Sequence, residues 1–172
     1  LIGPIDSSDE WIRQRTGIVT RVRADKGTDA IDLATTAAAE AIEKSGISAD
    51  QVDLVIVATI SNPKQSPSVS AIVADRVGAN PAAAYDINAA CAGYAYAVTQ
   101  ADALIKSGAA RYALVIGTEK LSDIVDPADR SISFLLGDGA GAALIGPSDT
   151  PGIAPAVWGS DGSKADEIGR AH

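Results

Sequence analysis

Two kinds of hydrophobic pattern alternate along the chain. Asp53-Leu54-Val55-Ile56-Val57-Ala58-Thr59 and Tyr112-Ala113-Leu114-Val115-Ile116-Gly117 are apolar runs without a polar face, the pattern of strands buried on both sides. Ala83-Ala84-Tyr85-Asp86-Ile87 is a shorter strand of the same kind, and Gly139 to Gly146 reads as a glycine-rich strand. Between them the period becomes helical. Ile31, Ala34, Ala38 and Ile42 share one face of a helix over Asp29 to Ser45, which Gly46 stops. Ser66-Pro67 predicts a helix start, with serine as cap and proline at the first helical position, running to Val77 before Gly78. A long alanine-rich helix is expected from Cys91 to Ser107, ended by Gly108. Near the start, Ser8 caps a short helix with acids in its first turn.

The remaining segments are polar. Arg15 to Lys26 reads as an exposed charged stretch, Glu119 to Arg130 as a loop, Ala156 to Ser160 as a further candidate strand and Asp161 to His172 as a tail. Strands alternating with helices predict an α/β domain with a largely parallel sheet. The 172 residues suffice for one domain.

Composition narrows the function classes. Aromatics make up 4% and methionine is absent, so the core must be built from Ala, Val, Ile and Leu, which let helices and sheets approach closely. The net charge of -8 removes the basic excess that phosphate contacts require, so no nucleic-acid partner is expected. One local exception is the cluster of Arg13, Arg15, Arg21, Arg23 and Lys26. A single cysteine and a single histidine exclude an intrachain disulfide framework and leave no metal site expected. A reducing, cytoplasmic setting follows as the expectation. No apolar run reaches membrane-spanning length and no signal peptide is visible. The chain opens with Leu1, so its true start is expected to be missing or processed.

Cys91 carries the candidate chemistry. In Asp86-Ile87-Asn88-Ala89-Ala90-Cys91-Ala92-Gly93-Tyr94 a strand ends, small residues crowd the turn and a helix begins. The arrangement is that of a strand-to-helix elbow presenting a nucleophile. Unpaired N–H groups and the helix dipole favour a thiolate there, and the same N–H groups can bind a thioester oxyanion. A buried cysteine acting as a small hydrophobe fits the elbow alone equally well.

The same string resembles the active-site segment of β-ketoacyl-acyl carrier protein synthase III. Four more stretches agree with that family in order and spacing: Ser7 to Ile18, Gly117-Thr118-Glu119-Lys120-Leu121-Ser122, Asp129-Arg130, and Phe134-Leu135-Leu136-Gly137-Asp138-Gly139-Ala140-Gly141-Ala142. The resemblance implies a thiolase-like fold in which two similar α/β halves form an α-β-α-β-α sandwich and subunits pair as homodimers. Residues 1–172 would be the N-terminal half, beginning after the family's opening strand. The family's catalytic His and Asn would lie in the second half, and His172 is read as a tail residue.

The implied reaction takes an acyl group from acyl-coenzyme A onto Cys91. Malonyl-acyl carrier protein then loses CO2, and its enolate attacks the acyl thioester. No permanently bound cofactor is implied; acyl-coenzyme A is a substrate and acyl carrier protein a partner. Trp11 matches the residue that stacks on the coenzyme's adenine. Arg15 and Arg130 match cofactor-contacting arginines, and Ser7 sits at another adenine-side position. Such residue types suit aromatic stacking and charge-assisted phosphate contacts. The same stretch would otherwise be a solvated charged face with Trp11 half-buried. Gly137-Asp138-Gly139-Ala140-Gly141 lacks the third glycine and following helix of a dinucleotide site, and close backbone packing is its expected use.

Three readings follow: a fatty-acid initiating condensing enzyme, a starter-handling relative in polyketide or secondary metabolism, and a non-catalytic half-subunit scaffold. Ser66 aligns with a loop that reaches the partner subunit's acyl pocket, where some family members carry a bulky aromatic. The small serine predicts that primers longer or more branched than acetyl are accepted. Rates with acetyl-, isobutyryl- and longer acyl-coenzyme A check this, and a strong acetyl preference contradicts it.

Overall fold

A computed structural model describes residues 3–164; His172 and the preceding tail residues from 165 lie outside the described residues. Four helices and four strands follow in the order α1 (Asp9–Thr16), α2 (Ala30–Ser45), β1 (Leu54–Ala58), α3 (Val69–Val77), β2 (Ala83–Ile87), α4 (Gly93–Lys106), β3 (Ala113–Lys120) and β4 (Asp138–Ile145). The strands form one sheet in the order β2-β1-β3-β4. β1 pairs parallel with both β2 and β3, whereas β4 runs antiparallel to β3.

The period of two in each strand sorts side chains to opposite faces. Val55 and Val57 of β1, with Leu114 and Ile116 of β3, pack against Ala34 and Ala38 of α2 and Val69 and Val73 of α3. Leu54 and Ile56, with Ala113 and Val115, pack on the other side against Ala97 and Ala101 of α4. β1 is buried over its whole length, as its unbroken apolar run predicts. The result is a sheet between two helical layers, with alanine the main helical contact residue.

Local signals fixed most helix ends. Ser8 caps α1 by accepting from Trp11 N–H. Asp29 and Asp32 form a reciprocal capping box on α2, and Gly46 ends that helix in the left-handed conformation. Four expectations need correction. The cap of α3 is Ser68, not Ser66: Ser68 Oγ accepts from Ala71 N–H, while the Asp86 carboxylate takes Val69 N–H at 2.7 Å and Ser70 N–H at 2.9 Å. Ser66 and Pro67, joined by a cis peptide bond, stay in the loop. β3 extends through Glu119 and Lys120, because these residues pair with Gly139 and Asp138 of β4. The candidate strand at Ala156 to Ser160 pairs with no strand among the described residues and is not a strand. The glycine motif is tight only at its first position: a Cβ on Gly137 would lie 2.8 Å from the Val22 carbonyl oxygen, whereas Gly139 and Gly141 face open space.

The charged stretch near the N-terminus folds back onto this motif. Asp138 N–H donates to the Val22 carbonyl, and one Asp138 carboxylate oxygen accepts from Ala24 N–H at 2.9 Å. The carboxylate also accepts from Ser122 N–H and Ser122 Oγ. Burial by itself would raise the Asp138 carboxyl. The hydrogen bonds from Ser122 and Ala24, helped by the Lys120 charge, outweigh burial and hold it below the ordinary carboxylate value.

A depressed carboxyl stabilises the fold above its unfolded value of about 3.9, and that contribution disappears as pH falls through the lower folded value. Asp138→Asn is expected to cost about 1–3 kcal/mol at neutral pH, since one amide N–H must then face a donor. Its stability should decline less between neutral pH and acid than that of the parent. Urea unfolding at a series of pH values checks both, and parallel pH profiles would contradict the assignment.

Candidate active site

The carboxyl ends of the three parallel strands converge on one cleft. Ala58 and Ile60 leave β1, the segment 88–92 leaves β2, and Gly117 to Glu119 end β3. Outward from these strand ends is where open α/β sheets place their ligands. The cleft has a volume of about 350 Å³ and is lined mainly by apolar atoms of Ala58, Ile60, Tyr94, Leu121 and Ala140, with Cys91 among its walls.

Cys91 sits on a short 3-10 turn, Ala90–Ala92, that precedes α4. This corrects the expectation that the long helix begins at Cys91: it begins at Gly93. The reason is steric. A Cβ on Gly93 would stand 3.1 Å from the Ala58 Cβ, so the helix start is pressed against the end of β1. Joining β2 to a helix placed that close demands a sharp turn, and Ala90 takes it up with φ of +44°. It is the described non-glycine residue with a positive φ. That conformation costs an L-residue about 1–2 kcal/mol. The turn leaves the Cys91 thiol exposed, and the buried-hydrophobe reading therefore fails. Unlike α1, α2 and α3, the helix α4 has no side-chain cap at its N-terminus. Its first N–H groups are not claimed by a capping side chain.

The other sequence candidates gather elsewhere. The guanidinium of Arg15 lies 4.5 Å from the Trp11 ring centre and that of Arg130 lies 5.8 Å from it. Arg130 also stands 3.6 Å from Asp6. Trp11 itself is half-buried, edge-on to Phe134 with ring centres 5.6 Å apart and packed on Ile5 and Ile12. Ser7 Oγ is shielded from solvent and has no hydrogen-bond partner. Arg13, by contrast, is engaged by Asp9 at 2.6 Å. Ser66 is exposed on the loop between β1 and α3 and does not line the Cys91 cleft.

Glu119 is the wall residue whose contacts the sequence reading left out. Its carboxylate accepts from Ile60 N–H at 2.9 Å, Ser61 N–H at 3.0 Å, Thr59 Oγ1 at 3.3 Å and Ser61 Oγ. The available signal was an acid at the end of a run otherwise buried and apolar. Among the described residues, no group of three or more His, Cys, Asp or Glu side chains is placed to hold a metal ion. Among the described residues, no helix is long and apolar enough to cross a membrane.

Comparison with known proteins agrees with this geometry. Residues 85–162, which include Cys91 and β4, match the family model for 3-oxoacyl-[acyl-carrier-protein] synthase III. The chain is 60% identical over 168 residues to the β-ketoacyl-[acyl-carrier-protein] synthase III of Kocuria rhizophila, covering 98% of this chain and 47% of the relative. It is 52% identical over 169 residues to that of Tropheryma whipplei, covering 98% and 52%. Among solved structures, the priming β-ketosynthase of the R1128 polyketide pathway superposes with a TM-score of 0.94 at 43% identity, over 96% of this chain and 49% of the other. The synthase III of Thermus thermophilus gives 0.91 at 40% identity, over 98% and 52%. The chain thus spans about half the length of the relatives it matches.

The strained elbow is open to direct measurement. Ala90→Gly should stay within about 1 kcal/mol of the parent, because relief of the positive φ offsets the entropy of glycine. Ala90→Val adds a branched side chain where φ is +44° and should lose more than about 1 kcal/mol. Thermal unfolding of both variants decides, and equal stability of Val and Ala at this position would contradict the elbow geometry.

Proposed function

Because the chain belongs to the 3-oxoacyl-[acyl-carrier-protein] synthase III family, we propose that it forms the N-terminal, nucleophile-bearing half of an acyltransferase that starts fatty-acid chains. The chain has the thiolase-like α/β fold of its structural relatives. In the proposed reaction Cys91 Sγ, as thiolate, attacks the carbonyl carbon of an acyl-coenzyme A. The tetrahedral oxyanion collapses, the coenzyme A thiolate leaves, and an acyl-cysteine thioester remains. Malonyl-acyl carrier protein then loses CO2 and its enolate carbon attacks the same carbonyl. The bond to Sγ breaks, releasing a 3-oxoacyl-acyl carrier protein and regenerating the thiolate.

The observation that carries this reading is the exposed thiol on a strained elbow, inside an apolar cleft at the ends of the parallel strands. The backbone N–H of Cys91, on the 3-10 turn just before the uncapped start of α4, is the proposed donor to the oxyanion. The cluster of Trp11, Arg15 and Arg130 is the proposed seat of the coenzyme's adenine and phosphates. Ser7, beside this cluster in the family resemblance, has its hydroxyl shielded from solvent here, so its proposed adenine-side role would need that hydroxyl uncovered. No resident cofactor is needed, since the steps use only a thiolate, a leaving thiolate and decarboxylation. A second half supplying His and Asn would stabilise the enolate and the second side of the oxyanion.

Acyl carrier protein and a second copy of the subunit are the proposed partners, in the cytoplasm. β2 ends the sheet on one side among the described residues, offering a strand edge to another copy. Ser66, exposed and away from its own subunit's cleft, suits a contribution to the partner's acyl pocket. The likeness to the R1128 priming ketosynthase favours a second reading, in which the same acyl-cysteine chemistry loads a polyketide starter.

Incubating the complete protein with acyl-coenzyme A should add one acyl mass, mapped to Cys91 and abolished by Cys91→Ser. Trp11→Ala should raise the acyl-coenzyme A concentration for half-maximal acylation roughly tenfold, the order expected for a lost stacking contact. An adduct elsewhere, or none, removes both the fatty-acid and the polyketide readings. Assay of the enzyme with malonyl-acyl carrier protein of fatty-acid and polyketide type separates those two.

A further inference from the structure

Glu119 and Asp86 hold the two ends of the loop that joins β1 to α3. At the first end, Glu119 takes the N–H groups of Ile60 and Ser61. At the other, Asp86 of β2 takes those of Val69 and Ser70. Between these anchors the loop carries the exposed Ser66, and its second residue, Ile60, is a wall of the Cys91 cleft with 41% of its surface exposed.

A glutamate in the wall of a reactive-thiol cleft invites the role of general base. Its hydrogen bonds argue otherwise. A carboxylate has about four acceptor sites, and four donors from Thr59, Ile60 and Ser61 engage this one. Two of them are backbone N–H groups that cannot turn away. A third, Ser61 Oγ, accepts from Lys120 N–H at 2.8 Å, which directs its own proton toward Glu119. Only the Thr59 hydroxyl is free to rotate. With three donors on one oxygen and Ile60 N–H on the other, the carboxylate is tied to the backbone at the end of β1, and that backbone is what it controls.

We propose that Glu119 is a positioning residue for primer selection: by fixing Ile60 N–H it sets where the Ile60 side chain stands in the acyl-accepting cleft. The inference rests on the proposed acylation of Cys91. The hydrogen-bond pattern says which substitution isolates it. In Glu119→Gln the amide nitrogen conflicts least at the position facing Ile60, where a single donor is opposed, rather than at the other oxygen, which serves three. Glutamine therefore releases Ile60 and keeps the Ser61 bonds. A released wall yields to bulk, so discrimination against longer or branched primers falls.

The test is the ratio of kcat/KM for isobutyryl- to acetyl-coenzyme A in the complete enzyme, with intact mass reporting acylation of Cys91. The ratio is independent of how much enzyme is active, so a merely structural loss does not move it. Glu119→Gln should shift it about tenfold toward the larger primer, the scale on which apolar pockets discriminate small groups. Ile60→Ala should shift it in the same direction. An acylated Glu119→Gln enzyme with an unchanged ratio overturns the inference. Should that variant fail to fold, an unchanged ratio in Ile60→Ala overturns it equally. An unacylated parent enzyme instead removes the underlying reading of Cys91.

Discussion

The start of α4 lies against the ends of β1 and β2 so closely that a side chain at its first residue would crowd the end of β1. Gly93 is buried there, and a Cβ in its place would stand 3.1 Å from Ala58 Cβ and 3.9 Å from the Ile87 carbonyl oxygen. From that approach the remaining geometry of the cleft follows. The chain must leave β2, turn and enter the helix within the five residues 88–92, and Ala90 absorbs the turn in a left-handed conformation. Cys91 is carried outward by the same turn instead of inward onto the sheet. The cost of the Ala90 conformation is small beside the burial of the α4 face, where Ala97 and Ala101 pack with Leu54, Ile56, Ala113 and Val115.

That tight helix also explains the composition. A sheet flanked at short range by alanine-faced helices needs few large side chains, so aromatics at 4% and the lack of methionine do not impoverish the core. The larger volume is provided by the strands: Ile56, Leu114 and Ile116 are fully buried. The two aromatic contacts lie outside this central core, Trp11 with Phe134 and Tyr96 with Trp158. Trp11 thereby remains available beside two arginines. The core needs no aromatic from the N-terminal segment, whose own small cluster of Ile5, Ile12 and Phe134 seats it.

What could be read from the letters was what short-range physics determines. The unbroken run at β1, the Ser8 cap, the amphipathic α2 with its Gly46 stop, and the bounds of β2 all follow from neighbours in sequence. The readings that changed depended on distant partners. Ser66-Pro67 carries a local helix-start signal, but Asp86, on another strand, supplies acceptors for Val69 and Ser70 and fixes the start at Ser68 instead. Alanine-rich sequence alone extends α4 back to Cys91; the proximity of Ala58 prevents it. Glu119 reads as a loop residue until β4 folds back beside it. For the candidate site, the family resemblance named Cys91, Trp11, Arg15, Arg130 and Ser7. The structure brings Trp11, Arg15 and Arg130 together and leaves Cys91 in a separate cleft.

The polar groups of that cleft are largely committed to the fold itself. Thr118 Oγ1 donates to the Ala30 carbonyl at 2.8 Å, and Glu119 accepts from four donors, three of them on one oxygen. Among the described lining side chains able to attack a carbonyl, Cys91 and Tyr94 remain, and a thiol is the better nucleophile of the two near neutral pH. The same inventory assigns the division of labour. These walls provide an exposed thiol and an apolar surface, the features on which the proposed acylation rests. In the proposed reaction, the task of managing the enolate falls to the His and Asn of a second half. Under the proposed function, acyl transfer and condensation are therefore separable demands, and this half carries the groups proposed for the first.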